Sequence, residues 1–171
     1  MNDFRLYEDA IALHRGSLIS KTTPVYCWDF HTNFLDKIKN IFLDLNTLNF
    51  IASKSKWIEN DWNFKNSLNE EVIIITDAKL KIVFASHNIT AMNGYSTAEV
   101  VGNTPRMFQG EATNEIISKE IRKAIIELEP FEKTIINYKK NGETYECLIK
   151  GFPIFNSKGE LSHYIAFEKA A

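Results

Sequence analysis

Asn141-Gly142 lies between two strand-length runs, Phe131–Lys139 and Glu143–Pro153, and constrains the fold more than any other short stretch. Asn-Gly between such runs is the strongest short-range hairpin signal, because both residues tolerate the positive φ of a tight turn. A third run, Leu161–Phe167, follows the turn Asn156-Ser157-Lys158-Gly159. Upstream, Val72-Ile73-Ile74-Ile75 is a β-branched run of the kind that makes a buried strand. Thr76-Asp77 turns it, and Lys81–Ala85 is a second strand. Between these groups lies a long helix, Thr113–Leu128, with Ile116, Ile117, Ile121, Ala124, Ile125 and Leu128 on one face and Pro130 ending it. Two strands at the start must join three at the end. The sequence therefore predicts α+β layering: one five-stranded antiparallel sheet with helices on one face.

The connecting stretch NGYSTAEVVGNTPRMFQG, Asn93 to Gly110, is dense in signals. Gly94 suits the left-handed residue that closes the short helical turn Asn88–Met92. Ser96 with Glu99 three residues on is a capping box for the next turn. Val100, Val101, Met107 and Phe108 are apolar anchors around Arg106, so the expectation is a buried cation needing an anionic partner.

Ahead of the sheet, Phe34, Ile38, Ile41, Leu45, Leu48 and Ala52 recur at alternating steps of four and three, with Leu35 and Phe42 widening the stripe. That spacing predicts an amphipathic helix over residues 33–52, with Asn33 as N-cap. A stripe with aromatics is more often a core face than a dimer seam, and this one, only three heptads long, suits both. Residues 1–32 read as a surface arm broken at Thr22-Thr23-Pro24 and anchored by Trp28. Trp57 and Trp62 point to a second helix or turn packed tightly on the following domain.

At 171 residues the chain suits one domain plus an appendage. A net charge of −2 makes no electrostatic case for nucleic acid, and no apolar run approaches the roughly 20 residues of a membrane span. MNDFRLYEDA lacks a signal-peptide layout, and Cys27 and Cys147 form no metal-spaced cluster. A reduced, cytoplasmic, soluble protein is expected. With no Ser/His/Asp order, metal set or phosphate loop, no catalytic residues and no enzyme activity are expected.

GYSTAEVVGNTPRMFQG resembles the central helices of PAS domains, in particular the flavin-binding LOV branch with its pattern GYxxxEVxGxNCRFLQG. The resemblance rests on Gly94, Tyr95, Glu99, Val100, Gly102, Arg106, Gln109 and Gly110. GETYECLIKGFPIFNSKGELSHYIAFE also resembles the end of such a domain. It implies a PAS fold over residues 71–171, preceded by an N-terminal helical extension, 1–70. At Pro105 the chain departs from the cysteine that LOV photoreceptors bond to excited flavin.

The resemblance further implies a site for flavin mononucleotide, FMN. Arg106 and Arg122 fall at the positions of two phosphate-binding arginines, Gln109 at a ribityl-chain glutamine, and Asn137 at a ring-reading asparagine. Thr104, Cys147 and Glu168 replace two asparagines and a glutamine of the family set. Two guanidiniums keep a bidentate anion clamp available. Ionised Glu168 only accepts hydrogen bonds where glutamine both donates and accepts, and Cys147 offers weak ones. Three occupancies stay open: FMN, another small molecule, or none. An arginine's default fate is a surface ion pair, Asn137 also suits the hairpin, and Gln109-Gly110 also ends a helix. Cys147 reads as a small core residue. His87 and His163 lie away from the haem-ligand positions of PAS domains, and haem is not expected.

The chain ends three residues after Glu168, so output is expected through the N-terminal helices or a separate partner. The leading expectation is a stand-alone sensory PAS protein that signals by ligand- or partner-dependent dimerisation, as a homodimer or on a separate signalling protein, without a covalent flavin adduct. The alternative is a flavoprotein that holds FMN non-covalently and signals by its reduction or photoreduction.

Overall fold

The computed structural model describes residues 26–58 and 62–170, with side chains from residue 32. The expected break at Thr22-Thr23-Pro24 and the Trp28 side chain lie outside the described residues, and residues 26–32, expected to belong to the arm, are helical instead. The chain divides into two units, Met1–Lys37 and Ile38–Ala171, and the second contains the sheet and its cores.

The first helix, α1, runs Tyr26–Lys54, longer than the stripe alone predicts. No Gly or Pro interrupts residues 25–54, so nothing stops the helix at Asn33, which lies inside it and is not its cap. A short helix α2, Phe64–Glu70, follows, capped by the Asn63 side chain accepting from the Asn66 N–H. Then come β1 (Val72–Asp77), β2 (Ile82–Ala85), α3 (Ile89–Asn93), α4 (Thr97–Val100), a 3-10 turn (Pro105–Phe108) and α5 (Glu115–Glu127). Three strands close the chain: β3 (Phe131–Tyr138), β4 (Thr144–Phe155) and β5 (Leu161–Ala170).

All five strands pair antiparallel in the order β2-β1-β5-β4-β3. The two N-terminal strands thus meet the three C-terminal ones through β1 and β5, where Val72 opposes Glu168 and Thr76 opposes Tyr164. Gly142, at φ 89, makes the β3–β4 turn.

The β1 run carries no polar alternation because both sides of the strand are covered. Val72 and Ile74 pack with Ile82, Ile89, Val100 and Phe108 on the side of α3 to α5. Ile73 and Ile75 pack on the opposite side with Phe84, Ile154, Ile165 and Phe167, under Leu48 of α1 and Leu68 of α2. Helices on one face therefore describe only the later part of the chain, and the extension covers the other face. Ile41, Leu45 and Ile51 flank Leu48 there. Leu48 is fully buried, worth about 1.5–3 kcal/mol by transfer of its side chain from water. Within the stripe, Ile38 and the widening Phe42 stay exposed, at 49% and 62%.

The tryptophans after α1 pack as expected. Trp57 Nε1 donates to His163 Nδ1 at 3.2 Å, and the Trp62 ring sits among Phe64, Phe152 and Phe167.

Candidate ligand-binding site

The loop that frames the site is fastened at its start. Glu99 accepts from the Ser96 N–H at 2.9 Å and from the Ser96 hydroxyl at 2.8 Å, the expected capping box. Lys140 reaches the same carboxylate from the β3–β4 turn at 2.5 Å. That bond, with those from Ser96, lowers the Glu99 pKa to about 2. Gly94, at φ 82, closes α3 as expected. Val100 and Phe108 are fully buried, and Arg106 between them is exposed. The expectation of a buried Arg106 that needs an anionic partner is therefore corrected: the guanidinium is exposed and water solvates it.

Arg122 approaches the same space from α5. Asn114 caps that helix, accepting from the Ile116 N–H at 2.8 Å and the Ile117 N–H at 3.3 Å. Ser118, Ile121, Arg122 and Ile125 recur at helical spacing and form one wall of an open groove of about 760 Å³. Thr104, Pro105, Arg106, Gln109 and the β1–β2 turn residues Lys79 and Leu80 form the other. The seven ion pairs among the described residues use lysine or histidine as cation, and none involves Lys79, Arg106 or Arg122. No carboxylate among the described residues lines the groove. Three uncompensated cations on one concave surface attract an anion.

Leu80 is held at φ 62, a conformation that costs a leucine about 1–2 kcal/mol. Asp77 fixes the turn, its Oδ1 accepting from the Lys79 N–H at 2.8 Å and the Lys81 N–H at 2.9 Å. The strained turn places Leu80 at the rim between the groove and a smaller cavity of about 100 Å³ below it. Pro105, Gln109, Ile121 and Ile125 share that rim. Farther in, the cavity is apolar, walled by Ile74, Ile149, Ala166 and the Phe131 ring beside Gly151. A Cβ at Gly151 would come within 2.3 Å of that ring, so glycine lets the aromatic lie against the sheet. Two polar side chains also face the cavity, Thr76 and Asn137, both at least nine-tenths buried. Thr76 Oγ1 has no hydrogen-bond partner among the described residues. Tyr164 closes one side, its hydroxyl donating to the Ile125 carbonyl at 2.7 Å.

Asn137 also belongs to a buried polar cluster with Asn93, Tyr145, Cys147 and Glu168. The two asparagine amides lie near enough to act on the Tyr145 hydroxyl, yet no bond of good geometry forms: Asn93 Nδ2 and Tyr145 OH are both unpaired. Cys147 Sγ donates to Glu168 Oε2 at 3.7 Å. Burial, with the neighbouring Glu168 charge, pushes the Cys147 thiol pKa up, and burial raises the Glu168 pKa to about 7.

The seven sequence-predicted residues thus fall into two adjoining groups. Thr104, Arg106, Gln109 and Arg122 line the groove, Cys147 and Glu168 hold each other, and Asn137 joins cluster to cavity. Sequence reasoning missed Lys79, Thr76, Asn93 and Tyr145. Thr76 was within reach of it, being two residues beyond Ile74 and so on the same face of β1.

Residues 70–169 match the PAS domain family. The chain belongs to the PAS family. Curated relatives of this PAS chain include the nitrogen fixation regulatory protein of Klebsiella oxytoca, 30% identical over 97 residues. That match covers 57% of this chain and 20% of the relative. Protein TWIN LOV 1 of Arabidopsis thaliana is 36% identical over 88 residues, covering 51% of this chain and 22% of that one. The blue-light-activated histidine kinase of Brucella canis is 35% identical over 85 residues, 50% of this chain and 17% of that one. The chain spans about a fifth of the length of these relatives. Among solved structures, the dark form of the Aureochrome1 LOV photoreceptor superposes with a TM-score of 0.60 at 27% identity, over 67% of this chain and 86% of that one. The LOV domain of the Erythrobacter litoralis EL346 blue-light-activated histidine kinase gives 0.56 at 25% identity, over 58% and 94%. This PAS domain has LOV domains as structural neighbours. No helix among the described residues is long and apolar enough to cross a membrane.

Proposed function

We propose that this chain is a cytoplasmic sensory PAS module that binds an anionic small molecule in the groove between the 3-10 turn and α5. Occupancy is read out by dimerisation or by docking on a separate signalling protein. The working division is an N-terminal extension, 1–70, and a sensor domain, 71–171. The observation that carries the reading is the groove itself: Lys79, Arg106 and Arg122 line it without a counter-ion among the described residues. Cations left together without partners favour a bound anion, and paired guanidiniums bind phosphate or carboxylate in bidentate fashion. The role proposed is binding, not catalysis.

Transmission falls to α1, which lies on the sheet face opposite the groove through Ile41, Leu45 and Leu48. Asp44 of α1 fastens it to the loop after β2, accepting from the His87 N–H at 2.9 Å and meeting His87 Nδ1 at 2.7 Å. Exposed Ile38 and Phe42 give that helix an apolar strip for a second copy or a partner. A ligand shifts such an equilibrium only by binding one arrangement better than the other.

Non-covalent FMN is the second reading, favoured by Arg106, Arg122, Gln109 and Asn137 at family positions. At the ring end the residues do not fit it. An apolar cavity of about 150 Å³ holds a single benzene ring, and this one is about 100 Å³. Pro105 offers no thiol for an adduct, and Cys147 is engaged with Glu168. The test is the visible absorption spectrum of freshly purified protein with mass spectrometry of its denatured supernatant. The proposal expects no structured blue band, and a small anion in the supernatant that is absent from Arg106→Gln/Arg122→Gln protein. Stoichiometric FMN would establish the second reading in its place.

A further inference from the structure

Groove and cavity adjoin across shared lining residues and have opposite chemistries. The groove carries Lys79, Arg106 and Arg122. The cavity is apolar, except for the Asn137 amide and the unpaired Thr76 hydroxyl. Leu80, Pro105, Gln109 and Ile121 stand at the junction. A buried hydroxyl without a partner costs about 1–3 kcal/mol, so a ligand atom that bonds it is favoured over one that cannot. The inner volume is below the roughly 150 Å³ that encloses a benzene ring, so a single ring seats there only in part, with the remainder across the rim in the groove, and nothing larger enters.

Resting on the anion-binding reading above, we infer that the ligand is a small amphipathic acid: one ring or a short chain, an anionic group at one end, and one polar atom at the other. The anion sits in the groove between Arg106 and Arg122. The apolar body passes Leu80 and Pro105 into the cavity. The distal polar atom bonds Thr76 Oγ1. Discrimination against larger anions comes from the Phe131 ring seated beside Gly151, and discrimination against purely apolar acids comes from Thr76.

The test is isothermal titration of the full chain with 4-hydroxyphenylacetate, phenylacetate and FMN, with thermal melting of each variant as the folding control. The inference expects 4-hydroxyphenylacetate to bind more tightly than phenylacetate, by about tenfold for one satisfied buried hydrogen bond. Thr76→Val should erase that difference. Arg106→Gln/Arg122→Gln should weaken both acids by tenfold or more at unchanged melting temperature. Arginine-dependent binding of FMN in preference to the acids would overturn the small-ligand inference and leave the groove as an anion site. Acids that bind equally to wild type and to the arginine variant, or no binding of any of the three, would overturn both.

Discussion

Cys147 Sγ lies 3.7 Å from Glu168 Oε2, and this thiol is the side-chain donor to a carboxyl that is 3% exposed. A thiol is a weak donor and a poor substitute for the water an ionised carboxylate loses on burial. Glu168 therefore keeps its proton far above the usual carboxylate range, to about 7.

The sign of the resulting pH dependence follows from proton counting. Below about pH 4.5 the carboxyl is protonated in both folded and unfolded chains. As pH rises toward 7 the unfolded chain loses the proton and the folded one retains it, so stability falls, by about 3 kcal/mol in total once the folded carboxyl also ionises. Glu168→Gln should abolish this loss and be more stable than wild type at pH 8. Denaturant midpoints at pH 5 and pH 8 check it. Equal pH slopes in the two proteins would show that Glu168 is ionised in the fold.

Asp44 is 3% exposed, and its carboxylate takes both the main-chain N–H and the ring Nδ1 of His87. Asp44→Ala leaves those groups without their acceptor, costing about 1–3 kcal/mol. The loss should be local to α1. Hydrogen exchange should speed up in Ile41–Ile51 and far less in β4 and β5; uniform acceleration would show that α1 and the sheet open together.

What the sequence made legible follows from the range of the forces involved. The Asn141-Gly142 turn, the Ser96–Glu99 box and the Gly94 closure are set by residues at most three apart, and each forms as read. Helix α1 outruns its expected start because its limits depend on what stops a helix, not on where its stripe begins. The groove residues were legible only through the resemblance, since spacing alone cannot say that Arg106 and Arg122 face one space. Lys79 was not legible, and of Thr76 only its face on β1 was, not its want of a hydrogen-bond partner. Their importance is set by partners they lack, a tertiary property with no trace in local pattern.

Gly110 needs its missing side chain. A Cβ there would sit 2.6 Å from the Tyr138 ring, whose hydroxyl accepts from the Ala112 N–H at 2.7 Å and so cannot swing clear freely. Gly110→Ala should destabilise the fold by about 1–3 kcal/mol through overpacking. Adding Tyr138→Ala removes the obstacle, so the double substitution should cost less than the sum of the two singles. Additive costs by denaturant titration would place the strain elsewhere.

In the proposed readout, the exposed strip on α1 carries occupancy of the groove to another molecule. Ile38 and Phe42 lie one helical turn apart and are 49% and 62% exposed, while Ile41, Leu45 and Leu48 beside them are committed to the sheet. A charge at the first two positions therefore disturbs association without touching the core. Ile38→Glu/Phe42→Glu should be monomeric by light scattering, with wild type dimeric and the melting temperature of the sheet domain changed by no more than loss of dimerisation explains. If both proteins are dimers, another surface holds the copies together. If both are monomers, the strip is left for a different partner, and the readout by self-association fails.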